Sequence, residues 1–165
     1  AATSRCDGQT AVCEGISSPE PFRVSDDAHT TRAPLHVAHR ALMQAISGAV
    51  ALSLHGNNRG ACGDLYISAG VNGEASQRAV DLAEAVTDGN GLSVGVEGSS
   101  AWSMDCPLAG STNVQGRLTN GSGAPCTQAA TTPSEHFLHL EQSQDLRSNH
   151  WDQLAGALKT VVPAD

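Results

Sequence analysis

Residues 49–56, with the sequence AVALSLHG, decide how the fold of this chain is predicted. A short apolar run that stops at a polar side chain and a glycine is typical of a strand buried on both faces of a sheet. Residues 137–141, FLHLE, repeat this pattern and also end in a polar side chain. We therefore expect both stretches to be strands of one sheet, with His55 and Glu141 at their carboxyl ends.

Helical periodicity alternates with these strands along the chain. Helices are predicted over 34–46, 74–88 and 148–162, and further strands over 64–68 and 92–96. This alternation is typical of α/β architecture, in which helices cover both faces of a mainly parallel or mixed sheet. The sequence predicts a single three-layer domain over 1–165, with an irregular N-terminal arm over 1–24.

All three predicted helices carry apolar stripes that we expect to face the core. The stripes consist of Leu35, Ala38, Leu42 and Ile46 in the first helix, of Ala75, Ala79, Leu82, Ala83 and Val86 in the second, and of Trp151, Leu154, Ala155, Leu158 and Val161 in the last. Residues 97–133 are rich in Gly, Ser, Thr, Asn and Pro and are too long for an ordinary loop, which indicates a functional excursion. Within this segment, residues 113–118 are interpreted as an edge strand.

The composition restricts the partners of the chain. Its 165 residues include seventeen acidic and nine basic side chains, for a net charge of −8. This acidic balance disfavours a phosphate-binding surface, so nucleic acid is not an expected partner. The longest apolar run, residues 48–54, is shorter than the ~18 residues that a membrane span needs, so no span is expected.

Five cysteines occur, and none forms a Cys-x-x-Cys pair, which argues against a thiolate zinc knuckle or a thioredoxin-like motif. The economical interpretation is two local disulfides, Cys6–Cys13 and Cys106–Cys126, with Cys62 left over. Sequence does not fix the connectivity, and five reduced thiols in a cytosolic protein are the alternative. Disulfides favour an extracellular or periplasmic location.

The strand ends supply the leading candidates for chemistry, because sites in α/β sheets form at the carboxyl ends of strands. Glu141 is a carboxylate on a buried strand, which is uncommon unless the group is paired or bound to metal. His139 lies on the same face as Glu141, since side chains repeat every two residues along a strand. The alternatives are a backbone-capping role for His55 and a structural ion pair of Glu141 with Arg117 or Arg147.

Histidines also cluster upstream of the first strand. His29 precedes the first helix and follows Asp27 closely, whereas His36 and His39 are three residues apart and share a helix face. Two histidines on one helix are more often a solvent-exposed face, so we take His29 as the candidate ligand of this group.

Three histidines and a carboxylate suit zinc, with a vacant position for a water molecule that the ion activates. We therefore predict that His55, His29 and His139 bind zinc and that Glu141 is the catalytic base. The sequence contains no HExxH motif and no His-x-Glu followed by Pro-Cys-x-x-Cys, so this site would be assembled from scattered residues.

Other catalytic classes find less support. No G-x-S-x-G motif is present, and a Cys62 nucleophile with His55 as its base would require neighbours on one loop to align. Arg147 and Arg117 are candidates for binding a substrate carboxylate, because a guanidinium binds a carboxylate through two hydrogen bonds. A surface ion pair is the alternative for either arginine.

Three stretches resemble the central part of the zinc-dependent N-acetylmuramoyl-L-alanine amidases: residues 51–57 (ALSLHGN), 65–67 (LYI) and 74–83 (EASQRAVDLA). In that family a strand ends in Ser-hydrophobic-His-Ala-Asn, its His binds zinc, and a later strand ends in the catalytic Glu. The resemblance implies an α/β fold shared with zinc carboxypeptidases, with His55 as a zinc ligand and Glu141 as the general base. The family's upstream His and Glu ligands have no matching apolar strand here, where the chain offers His29, His36 and His39, with Glu20 and Asp27 as the nearest carboxylates.

Three functions are consistent with these patterns. The first is a secreted metal-dependent hydrolase that acts on an amide bond in a peptide or a cell-wall peptide. The second is a non-catalytic glycan- or peptide-binding module of the same fold, which the incomplete ligand set and the polar segment 97–133 favour. The third is a metal-independent hydrolase that uses His55 and Glu141 as an acid–base pair. Both hydrolases require His55 and Glu141 to meet at one edge of the sheet.

Overall fold

A four-stranded sheet forms the centre of this computed structural model, which describes residues 27–31, 33–88 and 91–162. Its strands are β1 (Ala51–Gly56), β2 (Leu65–Ser68), β3 (Val94–Val96) and β4 (Phe137–Gln142), in the spatial order β1-β4-β2-β3. The pairs β1/β4 and β2/β3 are parallel, whereas β2/β4 is antiparallel, so the sheet is mixed. The predicted arm over 1–24 lies outside the described residues.

Within the described residues, five α-helices surround this sheet. They are α1 (Pro34–Ala45), α2 (Gln77–Thr87), α3 (Val114–Thr119), α4 (Gln144–Asn149) and α5 (Trp151–Val161). The helix predicted over 148–162 corresponds to α5, which His150, with a φ of −133°, separates from α4. Leu154 of its predicted stripe is buried, but Trp151 at the start of the helix is 63% exposed, so the prediction of a core position is wrong for Trp151. In the part of the chain that is described, no helix is both long and apolar enough to pass through a bilayer.

Helices cover both faces of the sheet, which confirms the predicted α/β class. On one face, the fully buried Leu138 and Leu140 of β4 belong to a core cluster with side chains of α2 and α5, Leu82 and Leu154 among them. On the other face, Phe137 packs against α3 so closely that a Cβ atom on Gly116 would lie 2.6 Å from its ring.

β1 lies at the edge of the described sheet, so the prediction that both of its faces are buried is wrong. Leu52 and Leu54 are 40% and 58% exposed, although their neighbours on β4, Leu138 and Leu140, are fully buried. The helical layer that covers β4 and β2 leaves the side chains of Leu52 and Leu54 open to solvent.

α1 turns its apolar stripe outward, so the prediction of a buried stripe is also wrong. Leu35, Leu42 and Ile46 are exposed, whereas His36 is buried. The reason is its packing partner, α3, which meets the polar face of α1. Nε2 of His39 lies 2.9 Å from the hydroxyl oxygen of Thr119 at this contact.

Residues 113–118 are helical rather than the predicted edge strand. Asn113 is the N-cap of α3, and its side-chain oxygen accepts hydrogen bonds from the backbone N–H groups of Gln115 and Gly116 at 2.9 and 3.0 Å. This capping satisfies donors that the first turn of a helix otherwise leaves unpaired, which outweighs the weak strand pattern.

The disulfide pairing differs from the prediction as well. Cys62 bonds Cys106, so Cys62 is not left over and the predicted Cys106–Cys126 pair is wrong. Both cysteines pack around the buried Tyr66 of β2, which brings them together across 44 residues of sequence. Cys126 is also disulfide-bonded. The predicted Cys6–Cys13 pair lies outside the described residues.

Candidate functional site

The parallel pairing of β1 and β4 places His55 directly beside Glu141 at the carboxyl ends of both strands. Ser53 and His139 form the next pair of neighbours on the same face. On the other side of β4, the antiparallel β2 places Tyr66 beside Glu141. The imidazole and the carboxylate therefore share one edge of the sheet, as the positions at the strand ends predict.

A cleft of about 600 Å³ opens at this edge. Its wall includes His55, His139 and Glu141, and His29 lies on it as well, carried by a 3₁₀ turn that spans Asp27–His29. The four side chains predicted as ligands and base thus line one cleft, although they come from three separate segments. Asn72 and residues 107–113 supply most of the remaining wall.

Glu141 and His139 form a buried pair, 6% and 4% exposed, with 3.1 Å between Oε1 and Nε2. A carboxylate only accepts hydrogen bonds, so Nε2–H of His139 is the donor and the lone pair of a neutral ring lies on Nδ1. This Nδ1 is buried and has no hydrogen-bond partner among the described residues. Gly110 packs against the same ring, where a Cβ atom would lie 2.6 Å from Cγ and 2.8 Å from both Cδ2 and Nδ1 of His139.

The imidazole of His55 belongs to a second network. Its Nε2 lies 2.9 Å from the hydroxyl oxygen of Ser53, and the side-chain amide of Asn113 donates to the same oxygen at 3.2 Å. The ring centroids of His55 and His139 are 4.7 Å apart. Because Asn113 also caps α3, the start of this helix and the position of His55 depend on each other.

His29 is held by the segment that precedes α3. Its Nε2 lies 2.9 Å from the hydroxyl oxygen of Thr112, and the side-chain amide of Gln115 donates to the carbonyl of Asp27 at 2.9 Å. Thr112 and Asn113 were not predicted as site residues, because the sequence pattern suggested a loop at Thr112 and an edge strand over 113–118. The signal was present, since an asparagine before a short helical stretch is an N-cap pattern.

The donor chemistry of the cleft fits zinc, which takes imidazole and carboxylate ligands. A buried polar atom without a partner calls for an explanation, and Nδ1 of His139 is a nitrogen of this kind. His55, His139 and His29 are the residues that would hold the ion. In the conformation described for residues 27–31, 33–88 and 91–162, no three His, Cys, Asp or Glu side chains converge as a metal site.

Arg117, a predicted substrate-binding residue, is buried in α3 and does not line the cleft. Its guanidinium donates to the backbone carbonyls of Ser111 and Pro125 at 2.8 and 3.2 Å. Burial lowers the pKa of Arg117 from its usual value. The contacts that the structure describes for this side chain hold the segment that forms the cleft wall, and a role in substrate binding stays a prediction.

Arg147, the other predicted substrate-binding residue, is exposed on α4 and lies beside Gly56. Successive side chains of a strand alternate between faces, so Arg147 lies on the opposite face of β1 from His55. Glu141 has His139 as its hydrogen-bond partner in place of either arginine that was considered as an ion-pair partner. Substrate binding by Arg147 also stays a prediction.

His36 and His39 belong to the packing of α1 and do not line the cleft. The pKa of His36 is lowered by burial first and then by the neighbouring His39 and Arg40. Burial also lowers the pKa of His39, against a raising effect of a backbone hydrogen bond with Gln115. The expectation of a solvent-exposed face is therefore wrong for His36.

Tyr66 and Glu97 hold a loop beside the cleft that the sequence analysis did not single out. The Tyr66 hydroxyl donates to Glu97, whose other carboxylate oxygen accepts the N–H of Gly73 at 2.7 Å. Burial and the neighbouring Glu97 raise the pKa of Tyr66. Since Gly73 follows the cleft residue Asn72, the pair fixes this part of the wall.

Comparisons with models of protein families, with characterised proteins and with solved structures find no match for this chain. The class that the fold and the cleft define is therefore a small α/β protein with a histidine- and glutamate-lined cleft at the carboxyl ends of two parallel strands.

Proposed function

We propose that this protein is a metal-dependent hydrolase that cleaves an amide bond in a peptide or a cell-wall peptide. One observation carries the proposal: His29, His55, His139 and Glu141, which are far apart in the sequence, line the same cleft. Two of them, His139 and Glu141, are almost fully buried. Ionisable side chains are rarely buried in proteins unless they are paired, bind a metal or take part in catalysis.

In this proposal His55, His139 and His29 would hold a zinc ion, which when bound would supply a Lewis acid to the substrate carbonyl and to the attacking water. Glu141 has two oxygens with separate tasks. Oε1 accepts the N–H of His139 and thereby fixes the orientation of that ring. Oε2 accepts the proton of the attacking water and delivers it to the nitrogen of the leaving amine.

The proposal places the protein outside the cytoplasm, in an extracellular or periplasmic setting. The Cys62–Cys106 disulfide supports this location, because disulfides persist in oxidising compartments. The resemblance of residues 51–57 to the zinc-binding strand of N-acetylmuramoyl-L-alanine amidases supports the same class of reaction. A peptide of the bacterial cell wall is therefore the first substrate to test.

The bond between His139 and Glu141 favours a second candidate, a hydrolase that works without metal. In that reaction Glu141 orients His139, and the lone pair on Nδ1 of His139 takes the proton of the attacking water. The two candidates differ in one respect that is simple to measure, which is the dependence of turnover on a bound metal ion.

The test uses the full chain without a His tag, and it measures bound metal together with hydrolysis of peptidoglycan fragments. We expect stoichiometric zinc, loss of turnover after chelation and recovery when zinc is added back. The variant Glu141→Gln should lose about 10²–10⁴-fold in rate and keep its thermal midpoint. The matched variant Glu84→Gln changes an exposed carboxylate of α2 and should keep full activity.

The other outcomes each select a different function. Full turnover in saturating chelator would establish the metal-independent reaction and end the zinc proposal. Saturable binding of a glycan or peptide with no turnover would end both hydrolase proposals and leave a binding module.

A further inference from the structure

We propose that an extended peptide substrate docks as an added strand along the outer edge of β1, the edge away from β4, which leads its scissile bond into the cleft. This inference rests on the proposed function and deepens it, because it names the form and the chemistry of the substrate. It concerns the outer side of β1, which the catalytic proposal does not use.

At this edge, the backbone of β1 has no strand partner among the described residues. The backbone N–H of Ala51 donates to the carbonyl of His136 at 2.9 Å, and that of Asn57 donates to the carbonyl of Gln142 at 2.8 Å. The backbone N–H and C=O groups of the odd-numbered residues of β1 therefore point toward β4. Backbone groups alternate in direction along a strand, so those of Leu52 and Leu54 point away from β4. Among the described strands, none pairs with this side. A row of this kind is a template for an added strand.

A groove of about 350 Å³ follows this strand and continues into the cleft. Residues 51–55 form one side of the groove, and Leu35 of α1 and Phe137 of β4 contribute apolar surface. The residues that line both the groove and the cleft are Ala28, His55 and Asn113. A peptide paired with Leu52 and Leu54 would therefore reach the imidazole of His55 after about one further residue, given the rise of ~3.3 Å per residue in a strand.

The side chains at the edge indicate which peptides fit. Leu52 and Leu54 lie beside the buried Leu138 and Leu140, so apolar side chains at alternate peptide positions would extend this apolar layer. Asp27 in the groove and Glu141 in the cleft favour a peptide without acidic residues. The occupant is thus an extended, neutral or cationic peptide with apolar residues at every second position.

A substrate is favoured over a second copy of this chain because the groove ends at the candidate catalytic residues. Pairing between two copies along β1 would also bury the exposed leucines, but it would not account for the continuity of the groove with the cleft. Occupation by residues that precede Asp27 is the remaining alternative. Both alternatives are separate outcomes of the test below.

The test measures binding by the full-chain Glu141→Gln variant, so that turnover does not consume the probe. The probe is a fluorescein-labelled octapeptide in which leucine alternates with threonine or lysine, and fluorescence anisotropy gives its dissociation constant. Two isomers carry N-methyl groups, one on the leucine nitrogens and one on the others. We expect one isomer to bind at least about tenfold more weakly and the other to bind as the parent does, since only one set of N–H groups faces β1.

A variant of the edge provides the second arm of the test. Leu54→Glu, made in the Glu141→Gln background, should weaken binding of the probe that contains threonine about tenfold, because the apolar contact is lost and a carboxylate is placed against a leucine of the peptide. Leu42→Glu is the matched control, because Leu42 is 56% exposed against 58% for Leu54 and does not line the groove. The amide hydrogens of Leu52 and Leu54 should exchange rapidly in the free protein and slowly with the peptide bound.

Several results would overturn the inference. These are no binding of the octapeptide, equal effects of both N-methyl isomers, and no effect of Leu54→Glu. A dimer that Leu54→Glu dissociates would assign the edge to a second copy, and slow amide exchange in the free monomer would assign it to another part of this chain.

The outcomes also separate this inference from the proposed hydrolase. If both N-methyl isomers are hydrolysed at the same rate, the proposed hydrolase stands and docking as a strand is ruled out. If only one N-methyl isomer binds and the unmodified protein shows no turnover, the hydrolase proposal is ruled out and docking at the edge of β1 stands.

Discussion

Gly110 determines how closely the cleft wall approaches the candidate catalytic histidine. Its φ of +64° is a conformation that glycine adopts without strain, and a Cβ atom there would lie 2.6 Å from Cγ of His139. The positive φ and the short distance to His139 both disfavour a larger residue, but only the short distance concerns the site. A comparison with Gly121, whose φ is +83° and whose Cβ position is open, separates them.

We expect Gly110→Ala to lose activity and Gly121→Ala to keep it. Backbone strain should cost each variant about 1–2 kcal/mol of unfolding free energy, because alanine is strained in the left-handed region, and Gly110→Ala should lose more because its Cβ atom also clashes with His139. Only Gly110→Ala displaces the ring of His139, so its rate of peptide hydrolysis should fall about tenfold or more. Urea unfolding and hydrolysis rates test both expectations, and wild-type activity in Gly110→Ala would contradict this role of the glycine.

His36 makes the stability of the protein depend on pH. Burial, with His39 and Arg40 nearby, lowers its pKa in the folded state below the usual value of 6.5. The unfolded chain therefore binds a proton more readily, so the contribution of His36 to stability is present above about pH 6.5 and is lost as the pH falls below it. The slope from one such group is at most about 1.4 kcal/mol per pH unit.

The variant His36→Leu should flatten this dependence. Its unfolding free energy between pH 7.5 and 5.5, measured with urea, should fall less than that of the unmodified protein, with the pH dependence from His39 retained in both. Leucine also removes the buried Nδ1, which has no partner among the described residues, so stability at pH 7.5 should not decrease. Parallel pH curves for the two proteins would refute the assignment to His36.

The pair His139–Glu141 could be predicted from sequence, but its position beside His55 could not be derived with the same rigour. Two residues separated by one position on a strand share a face, so their 3.1 Å contact follows from local geometry. Whether His55 lies beside Glu141 depends on which strands pair and in which register they pair. Their shared edge was inferred from the architecture of α/β sheets rather than from any local pattern.

At the scale of elements, α3 connects the packing of the protein with its cleft. The side-chain oxygen of Asn113 caps this helix, and its side-chain nitrogen donates to Ser53, which in turn contacts His55. A cap of this kind contributes typically about 1 kcal/mol to stability. The two functions reside on two atoms of one side chain, so substitution can separate them.

Asn113→Ala should lose about 1 kcal/mol of unfolding free energy and also activity, since cap and donor both disappear. Asn113→Asp keeps the capping oxygen and removes the donor to Ser53, so it should retain the stability and still lower the rate of hydrolysis. Thermal unfolding and hydrolysis rates of the two variants are the measurements. Equal activity of Asn113→Asp and the unmodified protein would mean that the contact with Ser53 does not orient His55.

Elements with strong periodicity were predicted correctly, and those decided by their neighbours were not. α2 buries Ala79, Leu82, Ala83 and Val86, as its stripe predicts, because a sheet lies beneath it. α1 has a similar stripe but packs on the polar side chains of α3, so Leu42 and its neighbours face outward. The apolar run of β1 suggested a central strand, but a run of leucines does not reveal whether a helical layer extends over it.

The order of the strands is the feature of the whole molecule that sequence could not supply. β4, the last strand in the chain, lies between β1 and β2, which places Glu141 between His55 and Tyr66. This insertion depends on contacts between distant parts of the chain, for which periodicity gives no signal. The alternation of helices and strands restricted the fold to the α/β class but not to this order.

The Cys62–Cys106 disulfide is a second constraint on the whole molecule. It closes a loop across 44 residues and anchors residue 106, directly before the cleft wall over 107–113. The double variant Cys62→Ser/Cys106→Ser should lose about 4 kcal/mol of unfolding free energy, from the chain entropy that such a loop restricts. Changing both cysteines together leaves no new thiol to exchange with the disulfide of Cys126.

Activity should respond to this change as well. Without the crosslink, the wall that places Gly110 beside His139 is held by fewer contacts, so hydrolysis should decline at temperatures well below the unfolding midpoint. Urea unfolding gives the stability, and hydrolysis rates at 15–35 °C, roughly 10 °C or more below that midpoint, give the second quantity. A variant that unfolds at the same urea concentration as the unmodified protein would show that the disulfide does not constrain the unfolded chain in this way. Lost stability with unchanged activity would separate the disulfide from the cleft.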